Sequence, residues 1–254
     1  MAVISVFNQK GGVGKTTTIL NVGAALAARG RRPVLIDLDP QASLSLAMGL
    51  RAVQPSQSVY AHFQDRKPLA ALIRTQASGV RLIPSSLELS KVEALHGSDP
   101  AVSRKLKEGI DVELASAGSP ILIDCCPMLG VLTLNALLAA DRVLMPVSAD
   151  YLSLEGVHKL DAALGVLEKR LGKQFLRRVL VTRFDARRRL SFEIHRQLQA
   201  RFPETVCRTV ITETVSLAES PMHGKDIFAY APHSQGAKDY QALTEELEAG
   251  NFFG

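Results

Sequence analysis

Lys10-Gly11-Gly12-Val13-Gly14-Lys15-Thr16-Thr17 decides how the rest of the chain reads. An apolar run, Ala2 to Phe7, precedes it, and a stretch with helical spacing, Thr18 to Arg29, follows. Strand, glycine-rich turn, Gly-Lys-Thr and helix in that order are the setting of a phosphate-binding loop. Glycine lets the backbone turn tightly enough to aim successive N–H groups at one anion. The helix that opens there adds the positive end of its dipole. In such a loop Lys15 reaches the β and γ phosphates and the Thr16 hydroxyl sits on Mg²⁺. The stretch predicts a site for a nucleoside triphosphate. A plain glycine-rich turn joining strand to helix is the bland alternative.

Working outward, apolar runs and helical stripes alternate. Strands are expected over 34–39, 80–84, 120–124, 142–147, 178–183 and 206–211. Helices are expected over 18–29, 88–96, 101–117, 129–140, 152–171, 192–202 and 235–248, with short helices between 43 and 75. Gly30 reads as a C-cap for the first helix, and Pro40 turns the chain after the second strand. Continuous apolar strands alternating with helices imply an α/β fold, a mostly parallel twisted sheet with helices on both faces. No internal repeat and no linker rich in Pro, Gly or Ser divides the chain, so residues 1–254 read as one domain.

Composition fits that reading. Hydrophobic residues make up 46% and charged residues 22% of the 254, enough to bury a full core and too apolar for disorder. The three cysteines, Cys125, Cys126 and Cys207, are odd in number and lack metal-ligand spacing, which argues for a reducing compartment. The N-terminus enters a strand without a signal peptide, and no apolar run approaches the length of a bilayer span. A cytoplasmic protein is expected. Net charge is +5, yet Lys169 to Arg208 alone carries twelve Lys or Arg against three acids. Such polarity suggests either a basic face for nucleic acid or simply a well-solvated cationic surface.

Three acids fall where ligands gather in such a sheet, at the carboxyl ends of strands: Asp37, Asp39 and Asp124. Asp124 suits a carboxylate that holds Mg²⁺ through water, as this hard cation keeps much of its hydration. Asp39 suits an acid that orients the water attacking the γ-phosphate, or one that contributes to the metal's water shell. Each could instead be a turn or helix-capping acid.

The loop departs from the ordinary phosphate-loop pattern. Gln9 occupies the position of the usual first glycine, and Lys10 adds a second lysine. In this it resembles the deviant Walker A loop of the ParA/MinD family of ATPases, whose signature is that extra lysine. Asp37-Leu38-Asp39-Pro40-Gln41 resembles the family's switch I, and Leu132-Thr133-Leu134-Asn135-Ala136-Leu137 the segment after Walker B. Leu154-Glu155-Gly156-Val157, Leu217-Ala218-Glu219-Ser220-Pro221 and Tyr230-Ala231-Pro232 resemble further family blocks, so the likeness spans nearly the whole chain. It is nearest the short ParA-type partition ATPases.

The resemblance implies ATP and Mg²⁺ as cofactors, with Lys10, Gly11, Gly12, Val13, Gly14, Lys15, Thr16 and Thr17 around the phosphates. It implies Lys10, Lys15 and Asp39 as catalytic groups, and Arg183, Thr212 and Glu213 near the nucleotide. It further implies a homodimer closed around ATP, with Lys10 of each subunit reaching the partner's phosphates. Hydrolysis would be slow alone and stimulated by a ParB-like or other cargo-linked activator, on a nucleoid-associated protein that binds DNA without sequence preference.

Four positions at three sites differ from the family: Cys126 stands for a proline after Walker B, Thr212-Glu213 for Pro-Arg, and Ser216 for a basic DNA-binding residue. Arg183, Arg187, Arg188, Arg189 and Arg196 are the alternative DNA surface. The rival readings are a MinD-like membrane-cycling ATPase and a metabolic ATPase of the same superfamily. The tail argues against the first: it is acidic, holds no Lys or Arg from Tyr240 onward, and offers only Phe252 and Phe253 as apolar bait.

Overall fold

The computed structural model describes residues 1–97, 99, 101–115 and 118–254. Seven strands form one sheet: β1 (Val3–Val6), β2 (Val34–Leu38), β3 (Arg74–Thr75), β4 (Arg81–Ile83), β5 (Ile121–Cys125), β6 (Arg142–Ser148) and β7 (Leu176–Thr182). Their spatial order is β3-β4-β2-β5-β1-β6-β7, with every neighbouring pair parallel except β3 with β4. The central strands β1, β2 and β5 are buried along their whole length because both faces are covered. Period-2 alternation nevertheless divides the strands: Val34, Ile36, Leu38, Ile121, Ile123, Val143, Met145, Val179 and Val181 enter one core layer, while Leu35, Leu122, Leu144 and Leu180 enter the other.

Helix α1 (Lys15–Ala28) covers the second layer, with α2 (Ser43–Ala47) beside it. Helices α3 (Val59–Asp65), α4 (Ser90–His96), α5 (Lys105–Glu113) and α6 (Val131–Ala139) contribute to the first layer. So does α7 (Leu152–Leu171), through Val157, Leu160 and Leu164 at helical spacing, and then α8 (Arg189–Arg201). Two short helices, α9 (Val215–Glu219) and α10 (Ile227–Tyr230), lead to α11 (Gln235–Ala249), which packs on α1.

Several expectations need correction. Val206–Ile211 is not a strand: it meets β7 at an isolated bridge, Val179–Val206, and again where the Ile211 N–H donates to the Val181 carbonyl (2.8 Å), with a further bridge beyond β7 at Phe184–Thr212. The reason lies in Arg208 and Thr209, whose N–H groups donate to the Glu246 carboxylate of α11 (2.6 and 2.8 Å) and leave the ladder. β3 falls inside the segment expected as short helices; its two residues are exposed, so no alternation betrays it. The expected helix 101–117 divides into a 3₁₀ turn, Val102–Arg104, and α5; residues 116 and 117 lie outside the described residues. Phe252 and Phe253, the apolar residues of the tail, are 0% and 3% exposed and pack in the α1–α11 layer, so they offer no bait. Arg142 holds the Asn251 carbonyl there (2.7 Å).

Candidate nucleotide-binding site

The loop between β1 and α1 is shaped by two left-handed glycines, Gly12 (φ 73°) and Gly14 (φ 83°), a region that side chains with a Cβ rarely enter. Gly14 caps α1 and accepts the Thr18 N–H (2.9 Å). Neighbouring strand ends brace the loop. The Asn8 amide donates to the Pro146 carbonyl (2.8 Å) and accepts the Lys10 N–H (3.0 Å). The Thr182 hydroxyl, at the end of β7, donates to the Val13 carbonyl (2.9 Å). Gly11 and Gly12 are exposed, Val13 is buried, and Thr16 and Thr17 sit half-buried in the first turn of α1.

The two lysines differ. Lys15 is buried, and its ammonium donates to the Lys10 carbonyl (3.2 Å), which places the cation inside the turn. Lys10 points outward and pairs with Asp150 (2.7 Å), both side chains more than two-fifths exposed. The Lys10 hydrogen bond holds Asp150 below the usual carboxylate range against the opposing effect of burial, helped by the hydroxyls of Ser148 and Ser153.

The acids occupy adjacent strand ends, with Asp37 and Asp124 in register across the β2–β5 pair. Asp37 is fully buried and turned into the fold: it accepts the Ser45 N–H (2.8 Å), the Ser45 hydroxyl (2.7 Å) and the Asp39 N–H (3.2 Å). Burial pushes its carboxyl up to about 6. It braces α2 and the turn carrying Asp39. Asp39 is half-buried and accepts the Gln41 N–H (2.9 Å).

Asp124 accepts the Thr16 hydroxyl through Oδ2 (2.7 Å), while its buried Oδ1 has no hydrogen-bond partner. Burial, then the Asp37 charge, drives its carboxyl well above the usual range. An orphaned buried carboxylate oxygen beside a hydroxyl is a donor set of hard oxygens that fits Mg²⁺. Thr16 and Asp124 would hold that ion, which neutralises phosphate charge when bound.

One cleft borders the loop and a second borders Asp39. The first, of about 220 Å³, is bordered by Gly12, Gly14, Thr17, Arg183, Thr212 and Glu213, and so gathers all three residues expected near the nucleotide. Arg183 pairs with Glu213 across it (2.8 Å), and the Thr212 N–H donates to Asp239 (2.8 Å). The other, of about 640 Å³, joins Asp39, Pro40 and Gln41 to Glu93 of α4 and to Cys126, Pro127 and Met128.

The arginines expected on DNA lie around the start of α8. Arg187 and Arg188 are 89% and 70% exposed, yet both pair with Asp185 (2.9 and 3.2 Å). The Arg187 hydrogen bond draws that acid down to about 2. Arg196 pairs with Glu193 (2.9 Å) within the helix, and Arg189 is exposed. Other members of the basic run do structural work: Arg177 bridges Asp161 and Glu168, and Lys173 donates to three carbonyls at the end of α6. Sequence reading missed Asn8, Ser45, Asp150 and Thr182, each a common residue whose partner is a distant strand end or helix. The cysteines are buried, and burial raises all three thiols.

The chain matches the model of the AAA domain family over residues 1–177. It is 42% identical to the chromosome-partitioning ATPase Soj of Thermus thermophilus over 250 residues, covering 97% of this chain and 95% of that one. It is 37% identical to the sporulation initiation inhibitor protein Soj of Bacillus subtilis, covering 97% and 98%. Among solved structures, cobyrinic acid a,c-diamide synthase from Mycobacterium smegmatis, with bound ADP and magnesium, aligns with a TM-score of 0.82 at 30% identity, covering 96% and 93%. A phosphate loop with its extra lysine, acids on the adjoining strand ends and likeness along almost the entire length together mean that the chain belongs to the ParA/MinD family of deviant Walker A ATPases.

Proposed function

We propose that this protein is an ATPase that dimerises around Mg·ATP, binds DNA without sequence preference and positions a cargo, a plasmid, a chromosome origin or a protein cluster. The observation that carries the reading is the division of labour between the two lysines: Lys15 buried inside its own loop, Lys10 facing out on an exposed ion pair. An exposed pair contributes only about 0–1 kcal/mol, so a partner's triphosphate competes for Lys10 at small cost. A cation delivered across the interface then acts as a trans arginine finger does, stabilising charge that develops on the transferring phosphoryl group.

In this reading residues 10–17 cradle the phosphates, Thr16, Asp39 and Asp124 serve the Mg²⁺, and Asp39 positions the attacking water. Arg183, Thr212 and Glu213 border the rest of the nucleotide. Arg187, Arg188 and Arg189, with Arg183 and Arg196, meet DNA phosphates, and release of the cations condensed on the DNA drives that binding. A cargo-linked activator speeds hydrolysis and release. The Soj relatives, one of them named for chromosome partitioning, support the cargo role. The protein works in the cytoplasm on the nucleoid. No helix among the described residues is long and apolar enough to cross a membrane, and the buried Phe252 and Phe253 leave a membrane-cycling role without its apolar contact.

DNA binding measured with ATP, ADP and no nucleotide over a salt series tests this. Binding that needs ATP and weakens steeply with salt is expected. Binding indifferent to nucleotide, or tight vesicle binding with ATP, contradicts it. ATP consumption that depends on an added carboxylic acid substrate would favour the metabolic ATPase reading instead.

A further inference from the structure

Glu93 stands on α4, far in sequence from Asp124, yet it governs the loop that follows that acid. Its two carboxylate oxygens accept the N–H groups of Val131 (3.0 Å) and Leu132 (2.9 Å). These are first-turn donors of α6, which a helix cannot satisfy from within. The cap position, Gly130, has no side chain to offer them. A Cβ at Gly130 would overlap the Glu93 carboxylate, the far end of a flexible side chain, so the acid would have to move off these two N–H groups.

A second pin lies one residue further on. The Thr133 hydroxyl donates to the Met128 carbonyl (2.6 Å) and touches Cys126 Sγ (3.3 Å). Between the pins the loop buries little: Met128 and Leu129 are exposed, and Pro127 is half-buried. Only Cys126, at its start, is held in the core; the course of the rest is set by the hydrogen bonds. The loop begins two residues after Asp124 and shares the 640 Å³ cleft with Asp39 and with Glu93 itself.

We propose that Glu93 is a positioning residue for hydrolysis: it fixes the Cys126–Gly130 loop beside Asp39 and Asp124, and turnover depends on that loop being held. The inference rests on the ATPase reading above. Nucleotide affinity does not depend on it, because the phosphate cradle and the nucleotide cleft lie on other elements.

The test compares steady-state turnover and the affinity for a non-hydrolysable Mg·ATP analogue in wild type, Glu93→Ala, Glu93→Gln, Gly130→Ala and the Glu93→Ala/Gly130→Ala double variant, below their unfolding temperatures. Displacing a loop beside the reacting atoms predicts that kcat falls about tenfold to a hundredfold in Glu93→Ala and in Gly130→Ala, with analogue affinity within about twofold of wild type. Glu93→Gln keeps one acceptor oxygen and should fall between. The double variant should be no slower than the worse single one, since both remove the same contact. Glu93→Ala turning over at the wild-type rate overturns the proposal, as do losses that multiply in the double variant or a parallel loss of affinity and kcat. Gly130→Ala keeps the glutamate but pushes its carboxylate off the two N–H groups, and so keeps the proposal testable should Glu93→Ala fold poorly. Absence of ATP turnover in the wild type, with DNA and activator supplied, defeats the ATPase reading and this inference with it; failure confined to the variants defeats the inference alone.

Discussion

Lys15 and Asp37 show how one buried charge differs from another. Lys15 is buried with its ammonium on the Lys10 carbonyl, and in the proposed function its counterion is the nucleotide phosphate. Lys15→Gln should weaken Mg·ATP binding roughly a hundredfold, as loss of one charge-assisted contact of about 3 kcal/mol implies. Calorimetric titration reads this directly, and near-wild-type affinity would remove Lys15 from the site. Asp37 is an acid whose folded value, about 6, lies above the ordinary 3.8 because burial penalises its charge. The folded state thus holds a proton that the unfolded state has released between those values. Stability should fall as pH rises from about 4 to about 6, by up to about 3 kcal/mol from this group. Urea midpoints across that range should slope less in Asp37→Asn than in wild type; equal slopes would mean Asp37 stays charged when buried.

Elements were legible in proportion to how much of their own pattern they carry. The strands β2, β5 and β6 announce themselves as apolar runs because both faces are covered, and α7 does so through its stripe of Val157, Leu160 and Leu164. The phosphate loop was legible for a different reason: Gly-Lys-Thr after a strand has few other uses. What stayed hidden depends on partners remote in sequence. Residues 206–211 have the composition of a strand, but Glu246 draws two of their N–H groups away. Asp37 reads as one more strand-end acid until Ser45 is found beneath it. The basic run looked like a face, yet Arg177 and Lys173 are tied into the fold. The burial of Phe252 and Phe253 was not legible because their environment is made by α1 and α11. Phe252→Ala should cost about 3–5 kcal/mol of stability by leaving a cavity there. A denaturation midpoint unchanged by that substitution would place the tail outside the core.

At the scale of the molecule, chemistry is concentrated along the carboxyl ends of β1, β2, β5, β6 and β7, where Asn8, Asp39, Asp124, Asp150 and Thr182 surround one loop. The start of α8 presents Arg187, Arg188 and Arg189 next to the segment that carries Arg183. Replacing those three arginines with glutamate should weaken DNA binding at least tenfold and flatten its salt dependence while leaving ATP affinity unchanged. Unaltered DNA binding would move the interface elsewhere. The central claim is that Lys10 leaves Asp150 for a second subunit's triphosphate. The most direct measurement is the solution mass of Asp39→Ala, which should hold ATP unhydrolysed, by light scattering with saturating Mg·ATP and with Mg·ADP, alone and combined with Lys10→Ala. A mass twice that of the subunit with ATP, lost when Lys10 is removed, is the predicted result; a monomer under saturating Mg·ATP, or a dimer indifferent to Lys10, would contradict it.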